Sequence, residues 1–219
     1  MNSIVIFVKY PAPGKVKTRL GAEIGNRLAT DLYHLFIELT LDLGRRAAPD
    51  AIYIAYEPEE RWNDFKRLIP SGFDCFPQHG KDLGQRMLNA FEHVLTQSPN
   101  KVIILGSDSP TLPVHIVKDA FKRLDASDLV LGPAEDGGYY LIGLKKVCTG
   151  IFENIQWSSA SVLQNTVERA SNMGITYSLL TEWYDVDELE DLKRAVNDDS
   201  SGKIKAYLQK HTQILTANR

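Results

Sequence analysis

Val102-Ile-Ile-Leu-Gly-Ser-Asp-Ser-Pro-Thr-Leu-Pro113 sets a pure apolar, β-branched-rich run against an abrupt polar turn bracketed by prolines. Val102–Leu105 has the composition of a strand covered on both faces. The run ends at Gly106, Asp108 follows where the chain leaves the sheet, and Pro110 and Pro113 fix a turn into a helix starting near Val114. Working outward, Ile4–Val8 is a second run of the same kind, and Ala51–Tyr56 and Leu129–Leu131 are less pure versions. Between these runs, Leu28, Leu32, Leu35, Phe36, Leu39 and Leu43 recur every three or four residues. Met87, Leu88, Phe91, Val94 and Leu95 do the same, and so do Val162, Leu163, Val167, Ala170 and Met173. Such spacing puts each set on one helix face. Ser158 or Ser159 is the expected N-cap of the last helix and Gly174 its stop. Strand and helix alternate, so the expected fold class is α/β, with three α/β/α layers around a mostly parallel sheet. In such sheets ligands bind beyond the carboxyl ends of the strands, which directs attention to the loops that follow strands.

The 219 residues suit a single domain, 1–219, with one sizeable core. A hydrophobic content of 43% and a charged content of 24% are ordinary for a globular chain. The formal net charge of -3 argues against a generic nucleic-acid binder, so any cationic patch has to be local. The apolar run in Met1–Lys9 is too short for a signal peptide or a membrane span, and a cytoplasmic location is expected. Cys75 and Cys148 lie far apart and outside any CxxC pattern, which points to reduced core thiols rather than a zinc site. The histidines His34, His79, His93, His115 and His211 are scattered without HxxxH spacing. Asp198-Asp-Ser-Ser-Gly202 reads as a turn before a short closing helix.

The loop after the first strand, Lys9-Tyr-Pro-Ala-Pro-Gly-Lys-Val-Lys-Thr-Arg19, holds Lys9, Lys15, Lys17 and Arg19 and no acidic residue. Pro11 and Pro13 stiffen it, and Gly14 permits close backbone approach to a ligand. Lysines supply point charges for phosphate, Arg19 can bond bidentately, and Thr18 adds a hydroxyl. Neither GxGxxG nor GxxxxGK[ST] is present. The competing reading is a solvated basic turn; placement directly after the first strand favours phosphate binding.

Asp108 at the end of the central strand suits a hard cation, Mg²⁺ or Mn²⁺, which asks for one or two carboxylates plus phosphate oxygens and water. Ser107 and Ser109 can orient the carboxylate. A turn-forming or capping Asp108 is the alternative. Asp136-Gly137-Gly138 has the pattern of a hairpin turn. An equal reading puts Asp136 and the Gly137–Gly138 backbone against a sugar or acceptor, with Tyr139 as a wall. In Trp183-Tyr-Asp-Val-Asp-Glu-Leu-Glu-Asp-Leu192, Asp187 with Glu190 reads as a capping pair, which leaves Asp185 free as a second metal ligand. Gln156-Trp-Ser-Ser159 is a candidate for the acceptor side.

Taken in order, several stretches resemble the bacterial selenodomain-associated, glycosyltransferase-like family. They are Phe7-Val-Lys-Tyr-Pro-Ala-Pro-Gly-Lys-Val-Lys-Thr-Arg-Leu20, Gly80-Lys-Asp-Leu-Gly-Gln-Arg-Met87, Gly106-Ser-Asp-Ser-Pro110, Gly132-Pro-Ala-Glu-Asp-Gly-Gly-Tyr-Tyr-Leu-Ile-Gly143 and Asp185-Val-Asp187. The resemblance runs from Ile4 to about Leu192, and its first and fourth motifs are long enough to be specific. It implies a nucleotide-diphospho-sugar transferase (GT-A-like, Rossmann-like) fold. Lys15-Val-Lys-Thr-Arg-Leu20 also looks like the loop of phospholactate guanylyltransferases. By that likeness Lys17 and Arg19 would meet nucleotide phosphates and Asp108 would take the metal. Ser107-Asp-Ser109 has one acid where many GT-A glycosyltransferases have Asp-x-Asp.

The expected activity is therefore a Mg²⁺- or Mn²⁺-dependent transfer from a nucleotide-activated donor to a small-molecule acceptor, without nucleic acid or a membrane span. The expected catalytic residues are Lys17, Asp108 and Asp136. Phosphate contacts are expected from Lys9, Gly14, Lys15, Lys17, Thr18, Arg19 and Ser107. Gly137, Gly138 and Tyr139 are expected to face the acceptor, and Asp108 and Asp185 to hold the metal. Glycosyl transfer, nucleotidyl transfer with pyrophosphate release, and a non-catalytic nucleotide-binding module all remain open.

Overall fold

Along β1 (Asn2–Lys9), Ile4, Ile6 and Val8 join one core cluster while Val5 and Phe7 pack into another, so this strand is covered on both faces. A computed structural model describes residues 1–97 and 100–216. After β1 come α1 (Thr18–Ile24), α2 (Asn26–Ala47), β2 (Ala51–Glu57), α3 (Trp62–Phe65) and β3 (Asp74–Pro77). Next are α4 (Leu83–Gln97), β4 (Lys101–Leu105), α5 (Val114–Arg123), β5 (Leu129–Pro133) and β6 (Tyr139–Leu144). The chain closes with α6 (Val162–Asn172), β7 (Tyr177–Leu179), α7 (Leu189–Asp198) and α8 (Lys203–Thr216). Short 3₁₀ turns occupy Glu59–Arg61 and Thr149–Phe152.

The described strands form one seven-stranded sheet in the order β3-β2-β1-β4-β6-β5-β7. Neighbours pair in parallel except β6, which runs antiparallel to both β4 and β5. Its reversal follows from the tight turn at Asp136-Gly137-Gly138, because a short turn can join only antiparallel neighbours. Pro77 lies in β3, an edge strand, where a missing N–H costs no ladder bond. β1 sits between β2 and β4, so the chain leaves it toward both sides and the loops after β1 and β4 meet at the same rim.

One face of the sheet is covered by α1, α2, α5, α7 and α8, through residues such as Leu20, Phe36, Val117, Leu192 and Ile204. The other is covered by α4, α6 and the turn at Thr149–Phe152, through Met87, Phe91, Ala170 and Phe152. These are the three layers expected from the alternation of strand and helix. Among the described residues no helix is long and apolar enough to cross a membrane.

Local details correct three expectations. Ser161, not Ser158 or Ser159, precedes α6, and it makes no side-chain cap; Ser158 instead holds a left-handed backbone at φ 64°. Asp187 is not the cap of α7: Glu188 and Asp191 form a reciprocal capping box there, one residue further on. Cys75 and Cys148 are free but only half-buried, and burial pushes the Cys75 thiol up to about 11. Gly174 does end α6, with a left-handed φ of 66°.

Candidate functional site

The loop after β1 turns back through Lys15, whose N–H bonds the Ala12 carbonyl at 2.9 Å, and enters α1 at Lys17. Lys17 has a left-handed backbone, φ 46°, which is uncommon for a residue with a β-carbon and costs of order 1–3 kcal/mol. That conformation accompanies an inward-facing side chain only 3% exposed. Its ammonium bonds the Asp108 carboxylate and lies 3.0 Å from Oδ1 of Asp187. Burial alone would lower its pKa; Asp108 and Asp187 more than offset burial, and Lys17 is held above its ordinary value as a fixed cation. Arg19, two residues on, is 60% exposed and bonds Asp187 and Glu188.

Asp187 closes the cluster. Burial raises its pKa, but Lys17 and Arg19 prevail and hold it below the usual carboxylate range. Asp185, on the same segment, is different. Burial and then the nearby Asp108 charge push it up to about 6, against the opposing hydrogen bond donated by the Ser109 hydroxyl. The segment is fixed by backbone bonds to two neighbouring loops. Val186 N–H donates to Asp108 O at 2.9 Å, Trp183 N–H to Pro133 O at 3.0 Å, and Glu135 N–H to Trp183 O at 3.0 Å.

Tyr33, from the buried face of α2, ties the loops after β1 and β4 together. Its hydroxyl accepts from Lys9 N–H at 3.2 Å and pairs with the Ser107 hydroxyl at 2.8 Å. Burial pushes this phenol up to about 12, so it stays protonated.

These groups border an open cleft of about 740 Å³. Lys9, Arg19, Ser107, Asp108, Asp136, Gly138, Tyr139 and Asp185 all line it, so eight of the sequence-derived candidates converge on one surface. Lys17 lies beneath it and reaches Asp108. Gly14, Lys15 and Thr18 are exposed but do not line it. Gly137 sits behind the wall: a β-carbon there would fall 2.1 Å from Ala160 O, and its own φ is 88°, so the turn needs glycine on both counts. Gly138 N–H bonds Asp136 Oδ1 at 2.8 Å. The Tyr139 hydroxyl is buried and its ring packs into the second core, so it forms the floor more than a free wall. Trp157, Ser158 and Ser159 line the far side; the Trp157 indole rests where a Gly84 β-carbon would be, 2.3 Å from the ring.

The residues at the β2–β3 end were not legible as site residues. Glu57 ends β2 and pairs with Arg86 of α4; Gln78 follows β3, and its amide donates to Ala55 O at 2.8 Å. All three line the cleft. Arg86 falls within a motif carrying the family resemblance, but Glu57 and Gln78 carry no local signal, because strand order alone brings them beside Lys9.

The donor set is all oxygen, and Asp185 bears a repulsion from Asp108 that a divalent cation would relieve; hard cations fit such a set. Among the described residues no three His, Cys, Asp or Glu side chains gather as a metal group, so a cation here would rest on a carboxylate pair with water and ligand oxygens completing its shell.

Comparison with known proteins agrees with this architecture. A crystal structure from Desulfovibrio desulfuricans G20, described as a candidate nucleotide-diphospho-sugar transferase, is similar at a TM-score of 0.89 with 36% identity. The match covers 99% of this chain and 97% of that one. The Thermotoga maritima inositol-1-phosphate CTP transferase matches at a TM-score of 0.63 and 15% identity over 94% and 96% of the two chains. Rv0371c of Mycobacterium tuberculosis H37Rv, solved in complex with manganese, matches at 0.57 and 14% over 90% and 97%. The last two similarities show the fold alone; by the 36%-identical structure it is the nucleotide-diphospho-sugar transferase fold. No curated protein matches in sequence. The family DUF2064, described as an uncharacterized protein conserved in bacteria, matches residues 40–159. With that match over more than half its length, the chain belongs to the DUF2064 family.

Proposed function

We propose that this chain is a transferase acting on a nucleotide-activated donor, with a divalent cation held by Asp108 and Asp185. The observation that carries the reading is the meeting of Lys9, Arg19, Asp108 and Asp185 on one cleft, with the Lys17 cation buried behind them. A cation bound there would neutralise negative charge on the donor phosphates and on the leaving group. Lys9 and Arg19 would bind the phosphates, Arg19 after exchanging a carboxylate partner for a phosphate one. Lys17, already saturated by two carboxylates, would act by fixing Asp108 rather than by touching phosphate. Glu57, Gln78 and Arg86 offer fixed donors and acceptors for a heterocycle at the β2–β3 end. The acceptor would lie toward Asp136, Gly138 and the 157–160 loop, where Asp136 is the exposed carboxylate placed to take a proton from an attacking hydroxyl.

Two reactions use such a site. In glycosyl transfer the acceptor attacks the sugar carbon and a nucleoside diphosphate leaves, a reading supported by the 36%-identical relative. In nucleotidyl transfer a phosphate-bearing acceptor attacks the α-phosphate and pyrophosphate leaves. That reading is favoured by the single acid in Ser107-Asp-Ser109 and by folds such as that of the CTP transferase. Turnover with a panel of nucleoside triphosphates and nucleotide-sugars, reading pyrophosphate against nucleoside diphosphate release in Mg²⁺ or Mn²⁺, separates them. Nucleotide binding with no turnover of any donor would leave only a binding module.

A further inference from the structure

Three of the carboxylates lining the cleft, Asp108, Asp136 and Asp185, each have a neighbour in sequence that turns away from it and joins a common network. Thr111 follows Asp108 by three residues, Tyr184 precedes Asp185, and Glu135 precedes Asp136. Tyr184 is 1% exposed; its hydroxyl accepts from Thr111 Oγ1 at 3.1 Å and donates to Asp198 Oδ2 at 2.8 Å. Arg194, one turn earlier on α7, lies 3.8 Å over the Tyr184 ring. Its Nη1 donates to both oxygens of Glu135, at 2.8 and 2.9 Å, and its Nε is 3.7 Å from Asp198 Oδ2. Two residues of one helix thus hold three loops that are also tied by the backbone bonds of residues 183–186 and by the Ser109–Asp185 contact.

We propose that Tyr184 and Arg194 are positioning residues: through Thr111, Asp198 and Glu135 they set the separation of Asp108, Asp185 and Asp136, and hence the fit of the carboxylate pair to a divalent cation. The inference rests on the metal-holding role given above to Asp108 and Asp185. The Glu135–Arg194 pair is half-exposed on both sides, and an isolated pair of that kind does little for stability. Its placement between a site loop and a helix explains it better than a stabilising role. Partners that orient metal ligands without touching the metal commonly change affinity 10- to 100-fold when removed.

The test is Mn²⁺ titration of the full chain, reading free Mn²⁺ by electron paramagnetic resonance, for wild type, Asp185→Asn, Tyr184→Phe, Arg194→Ala and Arg194→Lys. Thr40→Val serves as a control for loss of a buried hydroxyl outside the cleft lining; its Oγ1 donates within α2, to Phe36 O at 2.8 Å. Wild type and Thr40→Val are expected to bind alike and Asp185→Asn not at all. Tyr184→Phe should bind about 10-fold more weakly and Arg194→Ala several-fold more weakly, with Arg194→Lys between Ala and wild type. The double variant should lose less than the product of the two single losses, because both act through one network. Wild-type affinity in Tyr184→Phe and Arg194→Ala, with Asp185→Asn silent, overturns the positioning role and leaves the metal site standing. Absence of Mn²⁺ binding by wild type overturns both. Arg194 is half-exposed, so its variants keep the test decisive if Tyr184→Phe fails to fold.

Discussion

Lys17 and Arg19 stand two residues apart and both reach Asp187, yet they belong to different electrostatic regions. Lys17, 3% exposed, bridges Asp108 and Asp187 from below; Arg19, 60% exposed, meets Asp187 and Glu188 at the water boundary. The inner region is therefore fixed and the outer one exchangeable. A cation that is already saturated and out of solvent is built to hold carboxylates in place, whereas an exposed guanidinium can trade its carboxylate for an incoming phosphate at little cost. The likeness of the loop to phosphate-binding loops does not by itself separate these two roles; burial does.

That contrast breaks most severely at Lys17. Lys17→Met keeps most of the stem but leaves partly solvated Asp108 without its cation and Asp187 with Arg19 alone. Urea unfolding at pH 7 should show a loss of about 2–4 kcal/mol, somewhat below the cost of breaking a fully buried pair because both acids retain water. A loss under ~0.5 kcal/mol would mean that the inner region is not held by this charge.

Asp185→Asn should act in the opposite direction. The folded-state pKa of Asp185 is raised to about 6 from the ordinary 3.8, so its contribution is fully present below about pH 3.8 and is lost as pH rises through about 6. Without added metal, the variant should be more stable than wild type by roughly 1–3 kcal/mol at pH 7, and the advantage should vanish near pH 4. Paired denaturation curves between pH 4 and 8 check the sign; a difference independent of pH would contradict it. The same substitution removes a cation ligand under the proposed function, so stability gained and binding lost would mark Asp185 as a residue kept for chemistry.

Gly137→Ala comes next. It places a β-carbon against the Ala160 carbonyl and forces a non-glycine residue to hold φ 88°. A destabilisation of about 1–3 kcal/mol is expected from strain at such a position, with turnover falling further because the Asp136 turn shifts. Arg19→Met is the smallest. Its exposed pairs are worth roughly 0–1 kcal/mol and should weaken with added salt, while donor affinity should fall far more than stability.

How far the sequence carried these assignments depended on where the information lay. Ile4–Val8 and Val102–Leu105 were legible as buried strands because a covered parallel strand excludes polar residues, and the 3.6-residue period of α2 was legible because one face must enter the core. Asp108 and the cationic loop were legible because strand ends in such sheets face ligands. The short edge strands β3 and β7 carried little pattern, with few core-facing positions to produce one. The cap of α7 was misread because Asp187–Glu190 and Glu188–Asp191 satisfy the same spacing, and only backbone geometry chooses between them. Tyr33, Glu57, Gln78 and Tyr184 were invisible as site or support residues. Their roles arise from pairings 23 to 74 residues apart, such as Tyr33 with Ser107, or from a helix shared by three loops.

The most direct test of the central claim is calorimetric titration of the wild-type chain and Asp108→Asn with a nucleoside diphosphate, each with Mg²⁺ and with chelator. The account predicts binding by wild type only when the cation is present, and loss of that cation dependence in Asp108→Asn with the fold intact by circular dichroism. Equal affinity in chelator, or unchanged cation-dependent binding by Asp108→Asn, would contradict it.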